Sequence, residues 1–420
     1  MRLELHWSDV RRVEAGAVTR LAAETLTIDL VELSRHLESG RRLERLRIDL
    51  AHPGESCRIG RIADVFAARA KLDDVEDFPG VLGALTRAGS GRTLALAGVA
   101  VVVTDQELAH PGPLALLDMS GPGAAFTDFA HMRHVVLSAW PASGVGRSDY
   151  LAAVRLAGLK TAVFLARAAR EREPDRVEVF DLPAPARVPG ALAHLPRVAY
   201  VFQIHSHQRP TGVEEGILYG DPVRRMLPTS VHPNEVLDGA VVRGFMGRNA
   251  TTYTIQNHPI VRTLYAEHGR TLAFVGVVLT VAQATEPERV RSASMAAGMV
   301  ADILGGDGAV FTKIGGGAPH VDMAQAAAAC EKLGVKTTLI VEDMSTDGSS
   351  EGMLLFNFPG MDALVNVGGS QEKVSLPPVS RVIGADDLGP AFRGELWTTY
   401  TGICGAIEQL GASRLVAEVR

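Results

Sequence analysis

Apolar positions along this chain change their spacing near residue 148. Before it they form short runs at residues 26–28, 45–50 and 99–104, each bounded by Gly, Pro or charge, a pattern that predicts short strands joined by turns. One amphipathic stretch, 31–39, predicts a short helix. The clusters Phe78-Pro79-Gly80, Ala88 to Thr93 and Asp118 to Gly123 read as turns closing those strands, although glycine-rich backbone of this kind also approaches ligands closely.

After residue 148 the spacing becomes helical over 150–172, with Ser148 and Asp149 as capping residues. An apolar run at 197–204 then stops abruptly at His205-Ser206-His207, as a buried strand does at the edge of a sheet. The last third alternates: strand 272–280, helix 287–304, strand 309–314, helix 321–333, strand 337–341, strand 363–367. Glycines at 305–306, 315–317, 334 and 368–369 punctuate it. Such alternation predicts βαβ units, right-handed crossovers and ligands at the carboxyl ends of the strands. The expected fold class is therefore α/β, with an open, mostly parallel sheet in the C-terminal two-thirds preceded by a strand-rich N-terminal module. The expected segments are 1–147, 148–270 and 271–420, the last a βαβ domain packing on the central one.

Composition narrows the function classes. With 420 residues, 46% of them hydrophobic and 21% charged, the chain has material for two or three packed units. A net charge of −6 gives no basic footprint for nucleic acid, and 5% aromatics give no platform for stacking bases. The opening MRLELHWSDVRR has no apolar core of a signal peptide, and no run of about 18 apolar residues is present to span a membrane. The cysteines, Cys57, Cys330 and Cys404, are odd in number and widely spaced, which fits neither a disulfide framework nor a CxxC metal site. A cytoplasmic location is expected.

Candidate chemistry concentrates in the centre and at the predicted strand ends. Gly315-Gly316-Gly317 follows a strand and precedes a helix, so its N–H groups are placed to meet an anion, and Gly316 is a candidate substrate-binding residue. Neither GxGxxG nor GxxxxGK[ST] occurs, so no nucleotide cofactor is expected. His205 and His207 are two apart at a strand end, where both imidazoles can face one metal. With His232 and His258 from nearby loops they form a candidate site for a divalent metal, zinc or iron. The same histidines read equally as loop caps. Glu342 and Asp343 end a predicted strand, Glu235 and Asp238 flank His232, and Glu214 and Glu215 follow the histidine pair. Of these, Glu235 and Glu342 are the candidate acid–base residues. None of the cysteines has a neighbouring His, and all read as buried apolar residues.

The chain resembles the precursor of the pyruvoyl-containing component B subunit of glycine, sarcosine and betaine reductases. The resemblance runs from the N-terminus to about Gly384. It rests on ordered blocks: Ala51-His52-Pro53-Gly54-Glu55-Ser56, Phe78-Pro79-Gly80-Val81, Gly89-Ser90-Gly91-Arg92-Thr93, Asp118-Met119-Ser120-Gly121-Pro122-Gly123, Pro233-Asn234-Glu235-Val236-Leu237-Asp238-Gly239-Ala240-Val241-Val242, Asn257-His258-Pro259-Ile260-Val261 and Leu376-Pro377-Pro378-Val379. Asn234 and Asn257, inside these blocks, are candidate substrate-binding residues. The resemblance implies a precursor that cuts itself at a cysteine just after the Asp-Gly-Ala-Val-Val block. The ketone so formed condenses with a substrate amine, and a selenoprotein partner breaks the C–N bond.

Here that stretch reads Val242-Arg243-Gly244-Phe245-Met246-Gly247-Arg248-Asn249-Ala250-Thr251-Thr252, with Phe245 and Met246 in the place of the cysteine. Thr251 is the first residue beyond it with a nucleophilic side chain and is kept as a catalytic candidate, though it comes late and would leave a ketobutyryl end. An intact chain without pyruvoyl is expected. Three functions stay open. The first is a reductase-lineage subunit acting on a C–N bond of a small amine or amino-acid derivative with a separate thiol or selenol subunit. The second is a metal-dependent hydrolase, lyase or ligase of an amide or C–N bond that uses the histidines. The third is a non-catalytic scaffold subunit.

Overall fold

A computed structural model describes residues 1–37, 42–73, 75–107, 115–206, 215–244, 250–344, 363–369, 371–412 and 416–418. Its principal strands, in chain order, are β1 (Arg2–Asp9), β2 (Leu43–Ala51), β3 (Cys57–Lys71), β4 (Gly91–Asp105), β5 (Ala115–Asp118), β6 (Arg133–Pro141), β7 (Arg176–Asp181), β8 (Arg197–Ser206), β9 (Thr229–Val231), β10 (Ala273–Ala282), β11 (Gly308–Lys313), β12 (Lys336–Asp343), β13 (Ala363–Gly369), β14 (Arg381–Ile383) and β15 (Val416–Glu418). Its helices include α1 (Leu30–Leu37), α2 (Arg147–Arg167), α3 (Pro233–Leu237), α4 (Thr252–Gln256), α5 (Pro259–Glu267), α6 (Glu286–Gly298) and α7 (Ala318–Lys332).

The first sheet runs β7-β1-β4-β3-β14, with β6 beside β4, β2 beside β6 and β5 beside β3. Only short strands are predicted for this region, yet β3 and β4 have 15 residues each. Charges break the apolar pattern of β3, but they are buried in pairs. Arg58 sets Nε 2.6 Å and Nη2 2.9 Å from the Asp118 carboxylate, and Arg69 donates to the carbonyls of Leu237 and Gln256. A buried charge persists in a strand only when it is met in this way. The chain returns to this sheet late, through β14 beside β3.

The second sheet runs β9-β10-β8-β11-β12-β13-β15. Strands β10, β8, β11, β12 and β13 are mutually parallel, and β9 and β15 pair antiparallel at its two edges. The mostly parallel sheet is thus present. It draws on both the 148–270 and 271–420 segments, since β8 lies between β10 and β11. Among the parallel strands β8 comes first in the chain, β10 is laid on one side of it, and β11, β12 and β13 follow on the other. The strand order reverses between β8 and β11, which opens a crevice at their carboxyl ends.

Apolar alternation packs the layers. Tyr200, Phe202 and Ile204 of β8 face a core shared with Leu3, Leu5 and Trp7 of the first sheet and with α3 and α5. Ala199 and Val201 face α6 and α7 on the other side. Burial of each large side chain contributes roughly 2–3 kcal/mol. Helix α6 opens with a capping box between Thr285 and Glu288, and its continuation over Met299–Ile303 widens into a π turn. Gly334, at φ 83°, follows the end of α7. Among the described residues no helix is long and apolar enough to cross a membrane.

Candidate active site

Two groups of polar side chains meet at the carboxyl edge of the second sheet. The first surrounds the segment in which self-cleavage is expected of the resemblance. There the Arg243 N–H donates to the Thr252 hydroxyl at 3.0 Å. Asp64 of β3 accepts from the Thr252 N–H at 2.9 Å and from its hydroxyl at 2.6 Å. Burial raises the Asp64 carboxyl above its ordinary value, against the opposing charge of Arg243. Arg155, on α2, reaches in to donate to the carbonyls of Gly216 and Arg243 at 2.8 and 2.9 Å, and lies 3.7 Å from the Glu215 carboxylate. At Gly244 a Cβ would come within 2.7 Å of Glu215 Oε2 and 2.9 Å of His205 Nδ1, so His205, Glu215 and Gly244 are in one place.

The second group lies at the crevice itself. Gln203 on β8 and Lys313 on β11 are register partners, and both are buried. The Lys313 ammonium donates to the Gly315 carbonyl at 2.7 Å. Gln409 grips the same glycine, accepting from its N–H at 2.7 Å. Burial pushes the Lys313 amine down to about 8, with the Glu342 carboxylate opposing. His320, in the first turn of α7, is fully buried, and neither ring nitrogen has a hydrogen-bond partner. Burial, then the charge of Lys313, pushes its imidazole down to about 2. A Cβ on Gly316 would lie 3.8 Å from Glu342 Oε1, which places those two predicted residues together at the strand ends.

Of the residues singled out in the sequence, His205, Gly316 and Glu342 stand at this edge. His232, His258, Glu235, Asn234, Asn257 and Thr251 serve as joints of the fold. His232 caps α3, its Nδ1 accepting from the Asn234 N–H at 3.1 Å and its Nε2 meeting the carbonyls of Pro183 and Leu182, so both nitrogens are engaged. His258 is fully buried with Nε2 2.9 Å from the Tyr200 hydroxyl. His207 lies outside the described residues. Among the described residues no group of three or more His, Cys, Asp or Glu side chains is placed to hold a metal ion.

Glu235 closes the same cap on the His232 N–H and pairs with Arg87. Asn234 donates to the carbonyls of Met1, Gly89 and Phe180, and its oxygen accepts from Tyr265. Asn257 accepts from Arg69 and donates to the Tyr253 carbonyl. Thr251 caps α4 through the Thr254 N–H. The sequence reading passed over Lys313, His320, Gln203 and Arg155. A lysine closing an otherwise apolar strand just before three glycines was the one local signal available.

Residues 1–399 match the family described as glycine/sarcosine/betaine reductase component B subunits. The chain is 30% identical to the glycine reductase complex component B subunits alpha and beta of Acetoanaerobium sticklandii, with all of both chains covered. It is 33% identical to the betaine reductase complex component B subunit alpha of Peptoclostridium acidaminophilum, covering 91% of this chain and 88% of that one. The sarcosine reductase complex component B subunit alpha of the same organism is 30% identical over 92% of this chain and 90% of its own length. No solved structure matches.

Proposed function

This chain belongs to the glycine/sarcosine/betaine reductase component B family, and on that premise we propose that it is a substrate-binding subunit acting on a C–N bond of a small amine or amino-acid derivative without a pyruvoyl group. The residues present do not fit formation of that group. From Val241 to Ala250 the sequence offers neither thiol nor hydroxyl. The three cysteines lie elsewhere in the sequence and are buried, and burial pushes each thiol up to about 12. Beyond the stretch, the Thr251 hydroxyl is held by the Thr254 N–H and the Thr252 hydroxyl by Asp64. An acyl shift needs a free nucleophile beside its own carbonyl, and this absence from the sequence carries the proposal.

The substrate site on this reading is the carboxyl edge of β8, β11 and β12. Glu215 and Glu342 supply negative charge for an ammonium group. His205, beside Glu215, supplies an imidazole within reach of the same place. The partner is a second subunit bearing a thiol or selenol.

Intact mass of the purified chain tests the first half: a single full-length polypeptide is expected, and two fragments with a keto-acyl end overturn it. Release of ammonia or an alkylamine from glycine, sarcosine or betaine, with a thiol-bearing subunit and a dithiol reductant added, tests the second. No release from any of them overturns the assignment to C–N chemistry.

A further inference from the structure

We propose that the ε-amine of Lys313 is a covalent site for a small 2-oxo acid, which it binds as an imine in the crevice between β8 and β11. The geometry begins with what Lys313 lacks. It is fully buried, and its one hydrogen bond among the described residues goes to the Gly315 carbonyl. An ammonium carries three N–H donors, and leaving two of them unmet away from water is costly. A neutral amine, with a lone pair to offer, suits the position better.

The neighbours are short of partners too. His320 is wholly buried with both ring nitrogens unmet, and the side-chain oxygen of Gln203, 3% exposed, accepts nothing. Each such group is costly to leave unmet if nothing fills the site. Native proteins keep few of them without a reason. Three on adjacent elements, at the point where strand order reverses, call for a polar ligand. A 2-oxo acid matches. Its carbonyl carbon faces the amine, and its carbonyl oxygen takes the N–H of neutral His320. Its carboxylate meets the amino end of α7 at Ala318, since Pro319 has no N–H, the His320 N–H is taken by the Gly317 carbonyl, and the N-cap, Gly317, provides no side-chain cap.

The step balances without an oxidant or reductant. The lone pair of Lys313 attacks the carbonyl carbon and forms the C–N bond. The carbonyl oxygen leaves as water, taking the two amine hydrogens. Burial, which holds the amine at about 8, keeps part of it unprotonated near neutrality. Entry to the buried amine is past Gly315, whose carbonyl accepts from it and which is itself half-buried. This chemistry is separate from chain cleavage, so it is read on Lys313 whether or not the chain is processed.

The test is reductive trapping on the full-length chain. Glyoxylate and sodium cyanoborohydride are added at pH 7, and the lysine adducts are located by peptide mass spectrometry. Lys332 and Lys336, which are exposed, serve as internal controls. An amine held near 8 rather than 10.5 has about three-hundredfold more free base at that pH, so adduct on Lys313 should exceed that on either control by about tenfold or more. Acetaldehyde, which has no carboxylate, should label Lys313 far less than glyoxylate does. Lys313→Arg, with its fold checked by melting temperature, should remove the dominant adduct. Label confined to the exposed lysines overturns the proposal, and equal labelling by acetaldehyde overturns the assignment to a 2-oxo acid.

Discussion

The backbone N–H of Arg243 donates to the hydroxyl of Thr252 across 3.0 Å. The same hydroxyl donates to Asp64 on a strand of the first sheet. Arg243 and Thr252 are therefore anchored together to β3.

Asp64→Ala should loosen that anchor. It leaves the Thr252 N–H and hydroxyl without their buried acceptor and Arg243 without its neighbouring charge. The expected loss is about 2–4 kcal/mol by urea denaturation, with faster amide exchange at residues 250–254. Asp64→Asn keeps an acceptor and should lose less. Equal stability of the Ala variant and the parent would mean that the anchor contributes nothing.

Arg58 ties the C-terminal part of the chain to β3. Besides its two bonds to Asp118 it donates to the carbonyls of Phe392, Gly394 and Pro377. Arg58→Met strands a buried carboxylate and should cost about 3–5 kcal/mol. Pairing it with Asp118→Leu removes the stranded charge and should recover part of that loss. A double variant as unstable as the single one would show that the carbonyl contacts, and not the ion pair, dominate.

Gly244→Ala probes the edge of the site with little cost to the fold. The new Cβ meets the ends of two side chains, Glu215 Oε2 and His205 Nδ1, rather than backbone. The expected result is a displaced His205 imidazole resonance in the NMR spectrum, with unfolding free energy changed by less than about 1 kcal/mol. An unmoved resonance would contradict the close approach of these three residues.

Periodicity made the second sheet readable. The apolar strands at 197, 273, 308 and 336, the glycine stops and the intervening helices all lie within a few residues of where alternation places them. The first sheet was harder. Arg58, Arg61, Asp64 and Arg69 look like interruptions in a sequence, and only tertiary partners reveal that they sit inside one long strand. The site residues divide along the same line. His205, Gly316 and Glu342 were visible because strand ends can be read locally. His232, Glu235 and Asn234 gave a strong motif, but their motif describes a helix cap and a clamp on three carbonyls. Lys313 and His320 acquire their character from burial, which no local pattern announces.

Buried imidazoles should make the protein sensitive to mild acid. Burial lowers His258 to about 3 and His134 to about 4, against an ordinary value of 6.5. Both are fully buried, His258 against Tyr200 and His134 against the Phe129 carbonyl at 2.7 Å. The unfolded chain takes up these protons near pH 6.5, whereas the folded chain resists until far lower. The stabilisation from each neutral ring is therefore complete above pH 6.5 and declines as pH falls toward the folded value. The decline is at most about 1.4 kcal/mol per pH unit per ring. His258→Gln keeps a partner for the Tyr200 hydroxyl and cannot be protonated. Its stability deficit relative to the parent, measured by urea denaturation, should shrink by about 1–2 kcal/mol between pH 6.5 and pH 5. A deficit that stays constant over that interval would show that His258 takes up its proton as easily in the folded protein as in the unfolded chain.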